Sequence, residues 1–183
     1  MGLWRGAILT GAMTVYVLGA FATAQAQQYY DPPTAQPTGC PQKGFLNVGT
    51  AAADTLNGTP QSDVIFGRMG GDKLNGADGD DCLYGEEGDD ELSGGSDDDI
   101  VGGGSGDDEI SGGGGSDMLT GNAGDDEING GNGGDAISAG TGDDIVYARD
   151  GVRDTINCGP GRDRVSADRN DSVARNCERV ARR

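Results

Sequence analysis

Gly103-Gly104-Ser105-Gly106-Asp107-Asp108-Glu109-Ile110-Ser111 is one nine-residue unit of a run that continues without a gap from Gly49 to Tyr147, eleven units in all. Two columns of that run have no exception. The sixth position is Asp54, Asp63, Asp72, Asp81, Asp90, Asp99, Asp108, Asp117, Asp126, Asp135 and Asp144, and the eighth is Leu56, Ile65, Leu74, Leu83, Leu92, Val101, Ile110, Leu119, Ile128, Ile137 and Val146. The unit divides into six turn residues, whose glycines reach the positive φ angles a tight reversal needs, and three strand residues that bury one side chain. A fixed period of this length is the mark of a stacked repeat architecture.

Composition says that something beyond a core must hold the stack. The chain has 183 residues, 36 of them glycine, and only 5 % aromatics, too little apolar area for an ordinary globular interior. Formal charge is −18, and residues 49–147 alone carry 19 Asp and 5 Glu against one Arg and one Lys, a net −22. Such self-repulsion predicts a chain that stays unfolded until a cation neutralises it. Nucleic acid is excluded as a partner of this face, since its phosphates would be repelled.

Nine residues make half a coil and eighteen a full one, so each unit stacks on the next but one. Strands then lie about 4.8 Å apart in two parallel sheets, with the aliphatic column between them. Turns of odd units line one edge and turns of even units the other, which sets Asp108 between Asp90 and Asp126. An oxygen-seeking cation between successive turns relieves the repulsion: carboxylates from two turns plus free carbonyls supply the six to eight hard ligands that Ca²⁺ favours. Magnesium, with its tight octahedral demand, suits this poorly, and a chain without histidine or a CxxC pair cannot build the usual zinc sets.

Units such as Gly112-Gly113-Gly114-Gly115-Ser116-Asp117-Met118-Leu119-Thr120 and Gly121-Asn122-Ala123-Gly124-Asp125-Asp126-Glu127-Ile128-Asn129 resemble the haemolysin-type calcium-binding repeats of the repeats-in-toxin (RTX) family, G-G-x-G-x-D-x-U-x. The resemblance implies an all-β fold, a parallel β-roll (a right-handed β-solenoid of nonapeptide repeats), whose turns hold Ca²⁺ and which is disordered without it. Carried over by position, the metal carboxylates are the eleven sixth-position aspartates, with carbonyls lent by neighbouring turn glycines. Six odd turns and five even ones enclose nine gaps. Ala52 and Gln61 replace a motif glycine in the first two units, which places two gaps in doubt, and Asp97 does so in the sixth; the expected number of well-formed sites is about seven. Seven Ca²⁺ take the repeat region from −22 to −8, and nine take it to −4.

Outside the repeats the chain divides into four segments. Residues 1–26 read as a signal peptide: Arg5, an apolar run from Ala7 to Phe21, and Ala24-Gln25-Ala26 as the cleavage site, which predicts a secreted, extracellular or cell-surface protein starting at Gln27. An uncleaved anchor is the alternative, but the run is short for a span of about 20 residues, so no membrane association is expected after cleavage. Residues 27–39, with Pro32, Pro33 and Pro37, read as a flexible linker, residues 40–48 as an N-terminal cap, and residues 148–183, rich in arginine, as a basic C-terminal cap. In an exported chain four cysteines predict two disulfides. Cys158 and Cys177 lie 19 residues apart, close to one coil, and are paired on that ground; Cys40 and Cys82 pair by exclusion.

Catalysis is not expected. There is no histidine for a Ser-His-Asp or Cys-His arrangement, and paired acids such as Asp107-Asp108 recur in too many turns to be a glycosidase pair. An EF-hand beginning at Asp78 fails at Cys82 and Leu83. The function expected is a secreted, non-enzymatic calcium-binding roll that folds on about seven to nine Ca²⁺. The alternative is a surface or adhesive element presenting the rod to a glycan or protein, and a disordered acidic buffer is the third reading. In chain order the seventh position (Thr55, Val64, Lys73, Cys82, Glu91, Ile100, Glu109, Met118, Glu127, Ala136, Ile145) is mixed, which predicts no ordered outward array. The buried aliphatic column speaks against the buffer.

Overall fold

The computed structural model describes residues 28–30, 39–40 and 44–182; the expected signal segment, 1–26, and most of the expected linker, 27–39, lie outside them. The described residues form β1 (Gln28–Tyr30), β2 (Gly44–Val48), β3 (Thr55–Asn57), β4 (Val64–Met69), β5 (Lys73–Asp78), β6 (Cys82–Glu87), β7 (Glu91–Ser96), β8 (Ile100–Ser105), β9 (Glu109–Gly114), β10 (Met118–Ala123), β11 (Glu127–Asn132), β12 (Ala136–Thr141), β13 (Ile145–Ala148), β14 (Thr155–Asn157), β15 (Arg164–Ala167), β16 (Ser172–Val173) and β17 (Arg179–Arg182). Even-numbered strands, with β1 at the edge, make a nine-stranded sheet; odd-numbered strands from β3 to β17 make an eight-stranded one. Pairing is parallel throughout except for β1 on β2. Glu127 stands opposite Glu109, so one coil is eighteen residues, and the chain is an all-β parallel solenoid.

Strands are longer than the three-residue expectation. A typical one, Glu109–Gly114, runs from the seventh position of one unit to the third of the next, and pairing skips only the first-position glycine, where the chain bends. The eighth-position side chains all point inward and are buried, from Leu56 to Val146. Ile156 and Val165 prolong that column beyond the repeats. The coils therefore do not stop at Tyr147: β14 to β17 continue both sheets.

The ends of the core are closed by different means. At the start, Asn47 takes the aliphatic place opposite Ile65 and donates across to Asn57 O at 3.3 Å, so a polar bridge between the sheets covers the first apolar layer. Cys40 is bonded to Cys82, which draws the incoming chain onto the outer face of the nine-stranded sheet over Val64, beside the stacked rings of Phe66 and Tyr84. At the far end, Cys158 and Cys177 are bonded with Cα atoms 5.3 Å apart, joining one coil to the next. Arg149 donates to Ala167 O and Ala181 O there and ties the last two strands of the eight-stranded sheet to the body.

The mixed reading of the seventh position is corrected by the fold. Because one unit is half a coil, alternate members of that column face opposite sides. The eight-stranded sheet presents Thr55, Lys73, Glu91, Glu109, Glu127 and Ile145, and the nine-stranded sheet presents Val64, Cys82, Ile100, Met118 and Ala136. One face is largely charged and the other apolar.

Candidate metal centre

Each turn from the third unit onward is built by two residues in the left-handed region, at its second and fourth positions. Gly104 and Gly106 are one such pair, with φ of +128° and +123°. Five of these places hold other residues, Arg68, Ala77, Glu86, Asp97 and Asn122, all with φ between +74° and +91°. Asp97 thus replaces its glycine without changing the turn. The turns stack closely: a Cβ on Gly104 or Gly106 would collide with the carbonyl oxygen of Glu86 or Gly88 one coil earlier. Around those glycines the space between turns is therefore lined by backbone oxygen.

Into each turn folds its sixth-position aspartate. On the odd edge, Asp108 Oδ1 accepts the backbone N–H of Asp90 at 2.9 Å, and Asp126 Oδ1 accepts that of Asp108 at 3.0 Å. The even edge repeats this from Asp81 through Asp99 to Asp117. The other oxygen, Oδ2, turns back over the first-position residue of its own unit, glycine in every unit but the last, which has Ala139; a Cβ on Gly67 would lie 2.6 Å from Asp72 Oδ2, so glycine gives that oxygen room. In Asp72, Asp81, Asp90, Asp99, Asp108, Asp117, Asp126, Asp135 and Asp144 this Oδ2 is buried and has no hydrogen-bond partner. A native fold rarely leaves one buried polar oxygen unsatisfied, and here nine recur in two files.

Electrostatics record the same deficit. Burial lifts Asp99 to about 8, Asp81 and Asp126 to about 7, and Asp108 and Asp117 to about 6; the N–H bond at Oδ1 opposes the shift and neighbouring carboxylates add to it. Asp90, Asp135 and Asp144 are raised by burial as well. Without a cation Asp99 holds its proton at neutrality, and Asp81 and Asp126 hold theirs in part.

Asp54 and Asp63 stand apart. Asp54 Oδ2 accepts the N–H and hydroxyl of Thr50 at 2.6 and 2.8 Å, and Asp63 Oδ2 those of Thr59 at 2.6 and 3.0 Å. Neither Thr50 and Ala52 nor Thr59 and Gln61 takes the left-handed angles of the later turns. In these two units the oxygen left orphaned elsewhere is already satisfied by protein.

Two further sets of acids lay outside the sequence expectation. Asp154 and Asp163 Oδ1 accept the N–H groups of Asp135 and Asp144, carrying both files one coil onward, and Asp163 Oδ2 is again buried and orphaned. Their Asp-x-aliphatic step was visible, but a one-residue insertion moves them off the nine-residue schedule. The fifth-position acids form outer ladders running the opposite way: Asp107 N–H donates to Asp89 Oδ1, and Asp125 N–H to Asp107 Oδ1. Adjacent aspartates of one turn thus clamp it to the coil before and the coil after.

Among the described residues no three carboxylates or thiols converge on one point. Any ion held here takes most of its ligands from carbonyls, with carboxylate oxygens completing the shell. Such all-oxygen sets suit a hard cation of flexible coordination. The family model described as RTX calcium-binding nonapeptide repeat (4 copies) matches residues 48–81, 66–101, 76–110, 102–137 and 129–165. The chain belongs to this family. Its RTX repeats bind Ca²⁺, and the orphaned Oδ2 files with the carbonyl-lined gaps fit that ion. The last match reaches residue 165 and so takes in Asp154 and Asp163. None of the curated proteins compared with the chain matches it.

Proposed function

We propose that the protein is a secreted, non-enzymatic calcium-binding roll whose folding depends on the ions between its turns. The observation that carries this is the double file of buried, partnerless Oδ2 oxygens. Bound Ca²⁺ supplies positive charge and accepts six to eight oxygen ligands. The nine aspartates from Asp72 to Asp144 hold the metal. Their turns lie five on one edge and four on the other, enclosing four and three gaps, seven in all. Asp54 and Asp63 are left out because Thr50 and Thr59 hold their carboxylates, and Asp163, whose Oδ2 is also orphaned, because its turn has Gly159 but not Gly161 in the left-handed region. Each Oδ1 bond to the preceding coil orients its carboxylate in the folded stack, and the first-position glycine of each unit from Asp72 to Asp135 leaves room for Oδ2.

The signal-like segment ending in Ala24-Gln25-Ala26 supports export, and millimolar Ca²⁺ outside a cell would drive folding there. No helix among the described residues is long and apolar enough to cross a membrane. Far-UV circular dichroism of the oxidised chain, titrated from EDTA into Ca²⁺ and separately into Mg²⁺, tests the folding claim; a cooperative gain of β signal with Ca²⁺ alone is expected. Isothermal titration calorimetry of the same sample is expected to count about seven ions. A β-rich spectrum unchanged by EDTA would refute folding on calcium. Mass spectrometry of protein from the culture medium checks the start at Gln27.

A further inference from the structure

The charged outer face of the eight-stranded sheet has a pattern that calcium binding does not use. Along the stack, in register, stand Glu109, Glu127, Ile145, Arg164 and Arg179. The four charged side chains are exposed, and the one ion pair among the described residues is Lys73 with Glu91, so none of the four forms an ion pair within the described residues. Ile145 lies at the centre of the series, beside Tyr147, which is 42 % exposed on the same face. One strand to either side are Glu127 and Arg164, and two strands to either side are Glu109 and Arg179.

We propose that this face is a self-association surface that takes a second copy of the chain, turned end for end. A two-fold axis lying between the faces and parallel to β13 sets Ile145 and Tyr147 against their own counterparts. It also sets Glu127 against the partner's Arg164 and Glu109 against the partner's Arg179. An isologous contact needs a patch complementary to itself, and opposite charges at equal distances from an apolar centre provide that. The alternative face-to-face arrangement, with both stacks running the same way, sets Glu on Glu and Arg on Arg and is repelled. Ser166, next to Tyr147 in the ninth-position column, and Ala181 beyond it are small, and the bulkier Arg149 is held against β15 and β17 by its bonds to Ala167 O and Ala181 O.

The patch spans five strands, about 19 Å at the usual strand spacing. With its two outward columns about 7 Å apart, the patch covers on the order of 200 Å², small beside the roughly 800 Å² per partner of a standard interface, so the dimer is weak and sensitive to salt. Sedimentation velocity on the calcium-loaded chain with its disulfides intact, across a concentration series, tests it. Association is expected at ~0.05 M salt and at least ~10-fold weaker at ~0.5 M. Arg164→Glu with Arg179→Glu is expected to be monomeric, as is Glu109→Arg with Glu127→Arg, each keeping the calcium-induced circular dichroism of the parent. Mixed in equal amounts, the two variants are expected to restore a dimer, since one then carries four acids and the other four bases. A parent chain that stays monomeric at low salt overturns the proposal. So does a dimer that survives either double substitution, or folded variants that fail to associate when mixed.

Discussion

The first two turns and the nine that follow carry the same aspartate in the same column, yet its outer oxygen meets a different fate. In the early turns Thr50 and Thr59 hold Oδ2 with an N–H and a hydroxyl. In the later turns the second and fourth positions are in the left-handed region and Oδ2 is left bare. A carboxylate therefore becomes available to a metal through the backbone of its turn as much as through its own identity. Where the turn donates to the carboxylate itself, the acid serves as a structural hydrogen-bond acceptor, and in the reading proposed above the stack begins there without an ion.

The largest effect should come from removing calcium, and pH sets its direction. In the unfolded chain these aspartates titrate near the ordinary 3.8, whereas in the metal-free roll burial places several between about 6 and about 8. Over that interval the folded state holds more protons than the unfolded one, so metal-free stability is greatest in acid and is lost as pH rises through the folded values. In EDTA, β signal is expected to be largely absent at about pH 8 and partly recovered near pH 5, protons standing in for the ion. Calcium reverses the trend, since its affinity rises as those protons leave. Metal-free β content that grows with pH would contradict the desolvated file.

Next in size is the loss of single carboxylates. Asp108 lies between two gaps, so Asp108→Ala is expected to release up to two of about seven ions in a calorimetric count, and Asp144→Ala, with one repeat turn beyond it fewer, to release less. Asp54→Ala should release none and cost about 1 kcal/mol through the lost Thr50 bonds. Equal losses at Asp54 and Asp108 would erase the distinction between the two regions. The converse change sharpens it: Thr59→Gly together with Gln61→Gly removes the donor hydroxyl and frees the backbone for the left-handed angles. Calorimetry is then expected to show one additional ion, bound between the turns of Asp63 and Asp81.

Which parts of this were legible in the chain follows from period and phase. The columns at positions six and eight lie at fixed spacing, so the two sheets, the buried Leu56-to-Val146 column and the stacking of Asp90, Asp108 and Asp126 follow from counting. Cys158 and Cys177 lie one coil apart and are read the same way. Features that depend on phase between coils were hidden. The seventh column appeared mixed because consecutive members face opposite sides, and Glu109, Glu127 and Ile145 align only when every second unit is taken. Asp154 and Asp163 fell out of the files because one inserted residue breaks the count while the register absorbs it. The role of Thr50 and Thr59 was illegible because a missing glycine signals a poor metal turn, but not what replaces the metal.

The smallest effect concerns the non-glycine residues that the later turns hold in the left-handed region. Ala77, at φ +91°, takes the second position of the fourth turn, where Gly95 stands one coil on at +123°. A residue with a Cβ loses roughly 1 kcal/mol there relative to glycine, and alanine has no polar group with which to recover it. Ala77→Gly is therefore expected to stabilise the calcium-loaded roll by up to about 1 kcal/mol, less the added freedom of the unfolded chain, measured by guanidinium denaturation at fixed calcium. An alanine-to-glycine change in an early turn, Ala52→Gly at the fourth position, relieves no left-handed strain and adds only unfolded-state entropy, so it is expected to destabilise. If both substitutions shifted stability the same way, backbone conformation would not be what separates the two kinds of turn. Opposite signs, by contrast, would place the division between self-satisfied and metal-dependent turns in the φ angles of two residues per unit.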